Sequence, residues 1–257
     1  DQVAQEVGSN VKMVQDYYAA FGFEDYSFRL SLWDPEKTEK YIDQPENWKK
    51  SEDRLRQIMD DLGVDYTESV GEAAFYGPKV DIQFKTALGR EESMSTIQLD
   101  FAAKERFGLS YMDENGNQND EVLVIHRAPL STHERFVAFL TEHWMGNFPT
   151  WISPTQVQII TISERHSDYA GEVASRLKEH KVRVTVDDSD STIGRKIRTH
   201  RKMRPAYMLI IGDGEAADGT VSIRARNGDQ RNGVPLEDFI VGVTEEINNR
   251  SSKLSLV

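Results

Sequence analysis

The sequence of 257 residues contains no cysteine, which excludes disulfide bonds and thiolate metal sites within it. This absence is compatible with a cytoplasmic protein. No apolar run approaches the ~20 residues that a membrane-spanning helix needs, and the first five residues lack the character of a signal peptide. The HExxH pattern of zinc proteases is also missing, because Val137 stands where the second histidine would follow His133-Glu134.

What the chain does contain is the composition of a soluble globular protein, with 38% hydrophobic and 29% charged residues. Its net charge of −12 is unevenly distributed. Residues 1–150 carry 15 Lys and Arg against 28 Asp and Glu, whereas residues 151–257 carry 16 against 15. This shift, and the proline-bracketed stretch 148–154, predict two domains over residues 1–148 and 149–257. We expect the acidic first domain to repel nucleic acid and the second to tolerate it.

Two strands with strict alternation mark the first domain. Residues 79–85 and 96–101 alternate apolar and polar side chains, which predicts an antiparallel sheet with one polar face. That face is either merely solvated or the floor of a site, and it carries Lys79, Asp81, Gln83, Lys85, Thr96, Gln98 and Asp100. Periodicity further predicts helices over residues 2–21 and 48–62 and a half-buried strand over 26–32.

The stretch 122–144 combines a predicted strand, a corner and a helix. Residues 122–125 form an apolar, β-branched run that is typical of a buried strand, and Pro129 ends it. Ser131 or Thr132 then caps a helix, whose apolar face comprises Phe136, Phe139, Leu140, His143 and Trp144. We expect four polar or charged residues to converge at this corner around a ligand: His126, Arg127, Glu134 and Arg135.

In the second domain, predicted strands alternate with predicted helices. The strands are expected over residues 157–162, 182–186, 207–212 and 221–226, and the helices over 166–180, 193–202 and 235–247. This pattern is typical of a small α/β domain with a mixed, largely parallel sheet. Cations cluster on and beside the second helix: Arg195, Lys196, Arg198, Arg201, Lys202 and Arg204. This run is either a solvated face or a contact to phosphate, and Arg224 and Arg226 lie on a nearby strand.

Three features of the first domain each leave two interpretations open from the residues alone. His126 is either a metal ligand or a histidine with a hydrogen-bond partner at a strand end. Arg135 either binds a phosphate or pairs with Glu134 or Glu142. The loop 71–79, which two glycines and a proline constrain, either recognises a substrate or is an ordinary structured turn.

Four segments together resemble threonyl-tRNA synthetase in order and spacing: GEAAFYGPK (71–79), TIQLDF (96–101), VIHRAPLSTHERF (124–136) and FPTWISPTQV (148–157). The resemblance covers essentially the whole chain. It implies an α+β fold class, in which part of the antiparallel-sheet core of a class II synthetase precedes an α/β anticodon-binding domain with a mixed five-stranded sheet. It also implies the family's reaction, which activates threonine with ATP and Mg²⁺ and transfers it to tRNA(Thr).

The resemblance implies roles for residues of the first domain. His126 matches one histidine ligand of a zinc ion (Zn²⁺) that grips the amino and hydroxyl groups of threonine. Such a metal rejects valine, which has the shape of threonine but lacks the hydroxyl oxygen. Arg135 matches the motif 3 arginine that packs on adenine and meets the ATP phosphates, and catalysis is assigned to Arg135, Gln98 and Lys79. The substrate-binding positions are Tyr76, Lys79, Gln98, Thr132 and Arg135.

In the second domain the resemblance implies contacts to tRNA. Glu215 and Arg224 match positions that read anticodon bases, and Asp190 stands where an asparagine contacts the anticodon. The cations expected to contact tRNA phosphates are Arg195, Arg198 and Arg201.

Departures from the family pattern shape these expectations. The other zinc ligands, a cysteine and a histidine, and motifs 1 and 2 lie upstream of residue 1 in the family. We therefore expect this chain alone neither to hold zinc tightly nor to make adenylate. Ser131 stands where the family usually has glycine. The alternative is a synthetase-like tRNA-binding or regulatory protein without catalysis; for the full-length enzyme, a homodimer that binds no membrane is expected.

Overall fold

The computed structural model describes residues 2–86 and 89–257. They form two compact units, Asp1–Phe139 and Leu140–Val257. The predicted domain boundary at residue 148 stays a prediction. Within the described ranges, no helix is both long enough and apolar enough to cross a membrane.

The first unit is built on a five-stranded sheet. Its elements are, in chain order, α1 (Gln2–Phe21), β1 (Tyr26–Leu32), α2 (Pro45–Asp61), β2 (Tyr66–Val70), β3 (Lys79–Lys85), β4 (Glu91–Asp100), α3 (Ala103–Phe107), β5 (Tyr111–Met112), β6 (Gln118–Asn119), β7 (Val124–Ala128) and the beginning of α4 (His133–His143). The strands lie in the order β2-β1-β3-β4-β7, and β5 pairs with β6 separately. Neighbours in the large sheet run antiparallel, except β1 and β2, which run parallel.

One face of this sheet is apolar and lies against helices. Val80 and Ile82 of β3 are fully buried on this face, as the alternation predicts. The Tyr18 hydroxyl of α1 lies 2.6 Å from Ser95 Oγ of β4. The helix predicted over residues 2–21 and the strands predicted over 26–32 and 79–85 are confirmed.

Several elements of the first unit differ from the predictions, and α3, β5 and β6 are absent from them. α2 begins at Pro45, ahead of the expected start at Trp48, because proline suits the first turn of a helix. β4 begins at Glu91, ahead of the predicted start at Thr96, because its polar first half also pairs with β3. β2 is absent from the predictions because its sequence, YTESV, has few apolar positions and lies at an edge of the sheet.

β7 corrects the prediction of a buried strand over residues 122–125. The strand begins at Val124 and, among the described residues, pairs with β4 alone, so it is an edge strand. Its residues are half-buried or exposed, and Leu123 is 41% exposed. An apolar run cannot tell an edge strand from an interior one, because a strand's place in a sheet depends on distant residues. The strand does end before Pro129, as predicted.

The second unit contains the predicted mixed five-stranded sheet. Its elements are β8 (Val157–Thr161), α5 (Ser167–Glu179), β9 (Val184–Asp187), α6 (Ile193–Met203), β10 (Tyr207–Ile211), α7 (Asp213–Asp218), β11 (Thr220–Ala225), β12 (Gln230–Pro235) and α8 (Leu236–Asn248). The order is β12-β11-β10-β8-β9. Strands β10, β8 and β9 run parallel to one another, whereas β11 runs antiparallel to both of its neighbours, β10 and β12. All of β8 is buried, as is usual for a central parallel strand. The polar β12 and the short α7 are absent from the predictions.

Candidate functional site

A row of predicted site residues crosses the polar face of the first sheet. Lys79 of β3 lies opposite Gln98 of β4, and Gln98 lies opposite His126 of β7. Directly opposed residues share a face of the sheet, with Cβ atoms about 5 Å apart. Three residues that are far apart in the sequence therefore form one continuous surface.

The loop before β3 lies directly on β4. A Cβ atom on Gly77 would lie 1.8 Å from the carbonyl oxygen of Leu99, so only glycine permits this approach. The amide of Leu99 in turn donates to the carbonyl oxygen of Pro78 at 3.0 Å. Gly71, at the start of the loop, has a φ of 88°, which also favours glycine. These constraints hold the loop in one place relative to the row.

The loop adds Tyr76 to the row. Its hydroxyl donates a hydrogen bond to Gln98 Oε1, and its ring centroid lies 5.3 Å from that of His126. The Gln98 amide lies 3.4 Å from the hydroxyl of Thr96. Burial, and then the negative charge of Asp100, raise the pKa of Tyr76, so the hydroxyl stays protonated at neutral pH.

A buried carboxylate fixes the lysine of this row. Asp81 is 1% exposed, and its Oδ2 accepts hydrogen bonds from Lys79 Nζ, from Ser31 Oγ at 2.7 Å and from Arg29 Nη2 at 3.1 Å. Burying a carboxylate costs free energy unless donors surround it. The cluster therefore holds the ammonium group of Lys79 against the floor of the site.

His126 lies beside a second fixed carboxylate. Its Nε2 is 2.9 Å from Asp100 Oδ2. The other oxygen of Asp100 accepts hydrogen bonds from the amides of Ala102 and Ala103, at 2.9 and 2.8 Å, at the start of α3. The side chain of His126 is 47% exposed. His126 therefore has a hydrogen-bond partner at the strand end, and its side chain is also accessible to a ligand.

The surroundings of His126 do not form a complete metal site. Among residues 2–86 and 89–257, no group of three or more His, Asp or Glu side chains is arranged to hold a metal ion. Protein zinc sites use at least three protein ligands, and here one imidazole and the Asp100 carboxylate meet. This donor set does not fit zinc by itself, and the role of His126 as a zinc ligand stays a prediction.

The predicted convergence of four polar residues at the corner after β7 is wrong. Arg127 follows His126 on the strand and points to the opposite face, where its Nη1 donates to Asn10 Oδ1 of α1 at 2.9 Å. Glu134 is exposed on α4. Neighbouring residues of a strand alternate between faces, so His126 and Arg127 cannot both face one ligand.

Arg135 lies away from the row. Its Nη2 is 2.9 Å from Glu92 Oε2 of β4, which is a partner outside its own helix. Glu92 precedes Gln98 by six positions on β4, which corresponds to about 20 Å along an extended strand. The role of Arg135 in ATP binding stays a prediction, and it requires a substrate that extends from the row towards α4.

The hydroxyl group that caps α4 belongs to Thr132 and not to Ser131. The amide of Arg135 lies 3.4 Å from Thr132 Oγ1. The pKa of Glu134 is lowered, chiefly by the hydrogen bond of its own amide and then by that from Thr132. Ser131 has a φ of 59°, in the left-handed region that favours glycine. The sequence position at which the family usually has glycine is thus a strained one here.

In the second unit, Glu215 is tied to the strand that carries Arg224. Glu215, in the first turn of α7, accepts hydrogen bonds from the amide of Gly212 at 2.9 Å and from Ser222 Oγ at 2.6 Å. Burial opposes ionisation, but the bonds from Ser222 and the backbone outweigh it and lower the pKa of Glu215. Ser222 and Arg224 are two positions apart on β11 and so share a face.

The basic run of α6 divides into two kinds of residue. Arg195, Arg198 and Arg201 are exposed, and none of them pairs with a carboxylate in the described part of the chain. Lys196 differs, since it is 1% exposed and donates from Nζ to a backbone carbonyl of β8 at 3.0 Å. Lys196 is therefore a core residue and not part of a cationic face. Asp190, between β9 and α6, is exposed.

Comparison with known families assigns both units. The family model described as tRNA synthetase class II core domain (G, H, P, S and T) matches residues 1–144. The model described as anticodon binding domain matches residues 156–246. The chain belongs to the class II tRNA synthetases.

Similar synthetases include threonine–tRNA ligases from two bacteria. The protein from Bacillus velezensis is 49% identical over 241 residues, which are 93% of this chain and 37% of that protein. The protein from Staphylococcus aureus strain RF122 is 47% identical over 248 residues, 96% of this chain and 38% of that protein. The chain thus spans less than two fifths of the length of these relatives.

Solved synthetase structures share the fold. The RNA binding domain of threonyl-tRNA synthetase from Cryptosporidium parvum has a TM-score of 0.84 and 34% identity, over 95% of this chain and 60% of that one. A putative threonyl-tRNA synthetase from Aeropyrum pernix has a TM-score of 0.76 over 100% of this chain and 63% of that one. At 24% identity, the second likeness shows the fold alone.

Four residues that hold this candidate site had no individual role among the predictions. Asp81, Arg29 and Ser31 hold Lys79, and Asp100 holds His126. The signal for Asp81 and Asp100 was present, because both alternate with apolar residues on the face that carries Lys79 and Gln98. No local signal linked β1 to this face, since the pairing of β1 with β3 joins distant segments.

Proposed function

We propose that this chain is part of a threonine–tRNA ligase, which activates threonine with ATP and transfers it to tRNA(Thr). The observation that carries the proposal is the row of Tyr76, Gln98, Lys79 and His126 on one face of the sheet. The relatives with 47–49% identity are threonine–tRNA ligases, which supports the same activity.

The row suits the recognition of a small zwitterion. The Tyr76 hydroxyl and the Gln98 amide offer oriented donors and acceptors, which recognise the polar groups of threonine better than an apolar pocket does. The Lys79 ammonium, held by Asp81, can stabilise negative charge on the threonine carboxylate and on the adenylate. Each of these groups is already held by a neighbour, so little reorganisation is needed when substrate binds.

ATP, with Mg²⁺, is proposed to extend from this row towards α4. There it would contact Thr132, at the start of the helix, and Arg135. The guanidinium would pack on the adenine and meet phosphate oxygens, which suit its planar fork of donors. Arg135 must then either bind ATP and Glu92 at the same time or break its ion pair with Glu92. This pairing is the one observation that favours the alternative, a synthetase-like protein without catalysis.

His126 is proposed as one zinc ligand, with the remaining ligands coming from outside the described residues. Zinc would supply a coordination site for the threonine hydroxyl and so exclude valine. The part played by this chain is to orient the imidazole, through the bond between His126 Nε2 and Asp100.

In the second unit, Glu215, Arg224 and Asp190 are proposed to read anticodon bases, with Arg195, Arg198 and Arg201 on phosphates. The hydrogen bond of Glu215 to Ser222, which shares a face of β11 with Arg224, supports this assignment. The whole protein is proposed to act in the cytoplasm as a homodimer.

The test is threonine-dependent exchange of pyrophosphate into ATP, catalysed by the full natural protein with zinc supplied. Lys79→Met should lower kcat/KM at least roughly 100-fold, since it removes a charge at the reacting carboxylate. Lys85→Met, on the exposed end of the same strand, is the matched control and should have little effect. No exchange by the unsubstituted protein, despite tRNA binding, would favour the non-catalytic alternative.

A further inference from the structure

Two loops of the second unit meet at the carboxyl ends of its central parallel strands. The chain passes from β8 to β9 on one side of β8 and then to β10 on the other side. Ligands of open α/β sheets commonly bind outside the carboxyl ends of the strands at such a change of direction. Two residues in contact at this place have no role in the proposed function: His166, in the loop after β8, and Asp213, the first residue of α7.

His166 is buried, and both of its ring nitrogens have partners. The residue is 3% exposed. The amide of Ser163 donates to Nδ1 at 3.3 Å, and a neutral imidazole that accepts at Nδ1 carries its proton on Nε2. Nε2 lies 2.9 Å from Asp213 Oδ1 and 3.3 Å from Arg165 Nε, so it donates to the nearer carboxylate. The ring thus connects the backbone of one loop to the side chain that begins α7.

Asp213 is exposed, and its side chain is nevertheless held in one place. The side chain is 72% exposed. One carboxylate oxygen accepts from His166, and the other accepts from Arg165 Nη2 at 2.6 Å. The pKa of Asp213 is lowered, chiefly by the hydrogen bond from His166 and also by the charge of Arg165. The loop after β8 therefore fixes the beginning of α7 through two separate bonds to one carboxylate.

The first turn of α7 also carries Glu215, which is proposed to read anticodon bases. Glu215 lies two positions after Asp213. A Cβ atom on Gly212 would lie 3.2 Å from Glu215 Oε2 and 2.7 Å from Cδ1 of Ile162, which follows β8. Glycine at this position therefore leaves room for both side chains at the end of β10. A shift of Asp213 would move Glu215 as well, because both residues lie within one helical turn.

Simpler explanations cover only part of this arrangement. A histidine that satisfies a backbone donor of its own loop accounts for Nδ1, but not for a bond to a second loop. A catalytic histidine–aspartate pair does not fit, because a ring of which 3% is exposed does not contact a substrate. The ion pair of Arg165 and Asp213 is exposed on both sides and contributes little to stability. What these bonds do determine is the position of the first turn of α7.

We propose that His166 is a positioning residue for anticodon reading. Through Asp213 it holds the first turn of α7, so that the Glu215 carboxylate lies where it accepts hydrogen bonds from a base. Specific recognition of single-stranded RNA depends on hydrogen bonds to the edges of its bases, and such bonds weaken steeply when their geometry is lost. The inference rests on the proposed function, since it presupposes that Glu215 contacts the anticodon.

The experiment measures aminoacylation, by the full natural protein, of tRNA(Thr) and of the same tRNA with each anticodon base exchanged in turn. The quantity compared is the ratio of the kcat/KM values for the natural and the exchanged tRNA, in which a general loss of active protein cancels. Glu215→Gln identifies the base at which this ratio falls. At that base, His166→Leu and Asp213→Ala should each reduce the ratio roughly 10-fold, and the double variant should lose no more than either single one.

Two further histidine variants serve as rescue and control. His166→Gln keeps an N–H donor near the position of Nε2 and should retain the ratio. His180→Leu removes an exposed histidine at the end of α5 and should leave the ratio unchanged. Thermal unfolding shows whether each variant is folded. Because Asp213 is exposed, Asp213→Ala still tests the proposal if His166→Leu does not fold.

Three results would contradict the proposal, and they separate it from the broader function. If Glu215→Gln lowers the ratio while His166→Leu and Asp213→Ala resemble His180→Leu, the positioning role is wrong and the anticodon assignment stands. If Glu215→Gln leaves the ratio unchanged at every base, the anticodon assignment and the positioning role are both wrong. If His166→Gln loses as much as His166→Leu, packing of the imidazole matters and the bond to Asp213 does not, which overturns the proposal.

Discussion

The two units place their charges in opposite ways. In the first unit, the polar side chains of the row are held within the chain, because Asp81 accepts hydrogen bonds from Lys79 and Arg29 and Asp100 lies 2.9 Å from His126 Nε2. In the second unit, Arg195, Arg198 and Arg201 on the exposed face of α6 find no carboxylate among the described residues. Internal pairing keeps polar groups in fixed positions, which suits a small substrate. Unpaired cations leave their charge for an external polyanion, which suits RNA.

The largest expected effect tests the internal pairing directly. Asp81→Asn removes the buried charge that accepts hydrogen bonds from Lys79, Ser31 and Arg29, and breaking a buried pair leaves its cations uncompensated. We expect the free energy of unfolding, measured by urea denaturation, to fall by about 3 kcal/mol. Asp53→Asn, in an exposed pair with Arg56, should cost less than about 1 kcal/mol.

The same denaturation experiment on an exposed cation of α6 sharpens the contrast. Lys202→Gln should change the free energy of unfolding by less than about 0.5 kcal/mol, because this exposed lysine pairs with no carboxylate in the part of the chain that the structure describes. A loss comparable with that of Asp81→Asn would mean that the cations of the second unit also serve the fold, and the contrast between the units would disappear.

Relief of backbone strain should change stability less than Asp81→Asn does, and it should raise the free energy of unfolding instead of lowering it. Ser131 in the first unit and Lys181 in the second have φ angles of 59° and 60°. Glycine adopts this conformation without steric cost, although it loses more entropy on folding. Ser131→Gly and Lys181→Gly should therefore each stabilise the protein by about 0.5–1 kcal/mol in urea denaturation. Ser110→Gly, in an exposed loop without a positive φ, should give no gain.

The smallest expected effect concerns how two glutamates make the free energy of unfolding depend on pH. Burial raises the pKa of Glu52 in the first unit above 4.5, whereas hydrogen bonds outweigh burial and lower that of Glu215 in the second. A lowered folded-state pKa gives stability that is present above pH 4.5 and lost as the pH falls through the folded value. A raised one gives a penalty above the folded value that disappears on acidification.

Substitution with glutamine tests both signs. Glu215→Gln should therefore lower the free energy of unfolding near neutral pH and matter less below pH 4.5. Glu52→Gln should raise it near neutral pH, with the gain vanishing in acid. Urea denaturation across this pH range checks both, and parallel curves for the two variants would contradict the assigned shifts.

The predictable part of the fold follows from local alternation and periodicity. β3 was predicted to the residue because Val80, Ile82 and Phe84 are apolar and face one core. The edge position of β7 was not predictable, because it depends on which strands pair, and pairing joins residues far apart in sequence. For the same reason the sequence indicated Lys79 and Gln98 but not Arg29, whose strand reaches the site by long-range pairing.

The partner of Arg135 shows a second limit. Sequence spacing suggests partners on its own helix, since positions three and four apart on a helix are neighbours. The guanidinium instead reaches Glu92 across to β4. Helix spacing gives no information about which strand lies beneath, so a long side chain can find a partner that periodicity does not reveal.

The most direct test of the contrast between the units compares Gln98→Ala with Arg224→Gln in the full natural protein. Threonine-dependent ATP–pyrophosphate exchange and binding of tRNA(Thr) are measured for both variants. The internally held row predicts that Gln98→Ala loses roughly 100-fold in exchange while binding tRNA normally. Arg224→Gln should weaken tRNA binding more than it lowers exchange. Loss of tRNA binding by Gln98→Ala, with exchange intact, would contradict the division of substrate and RNA between the two units.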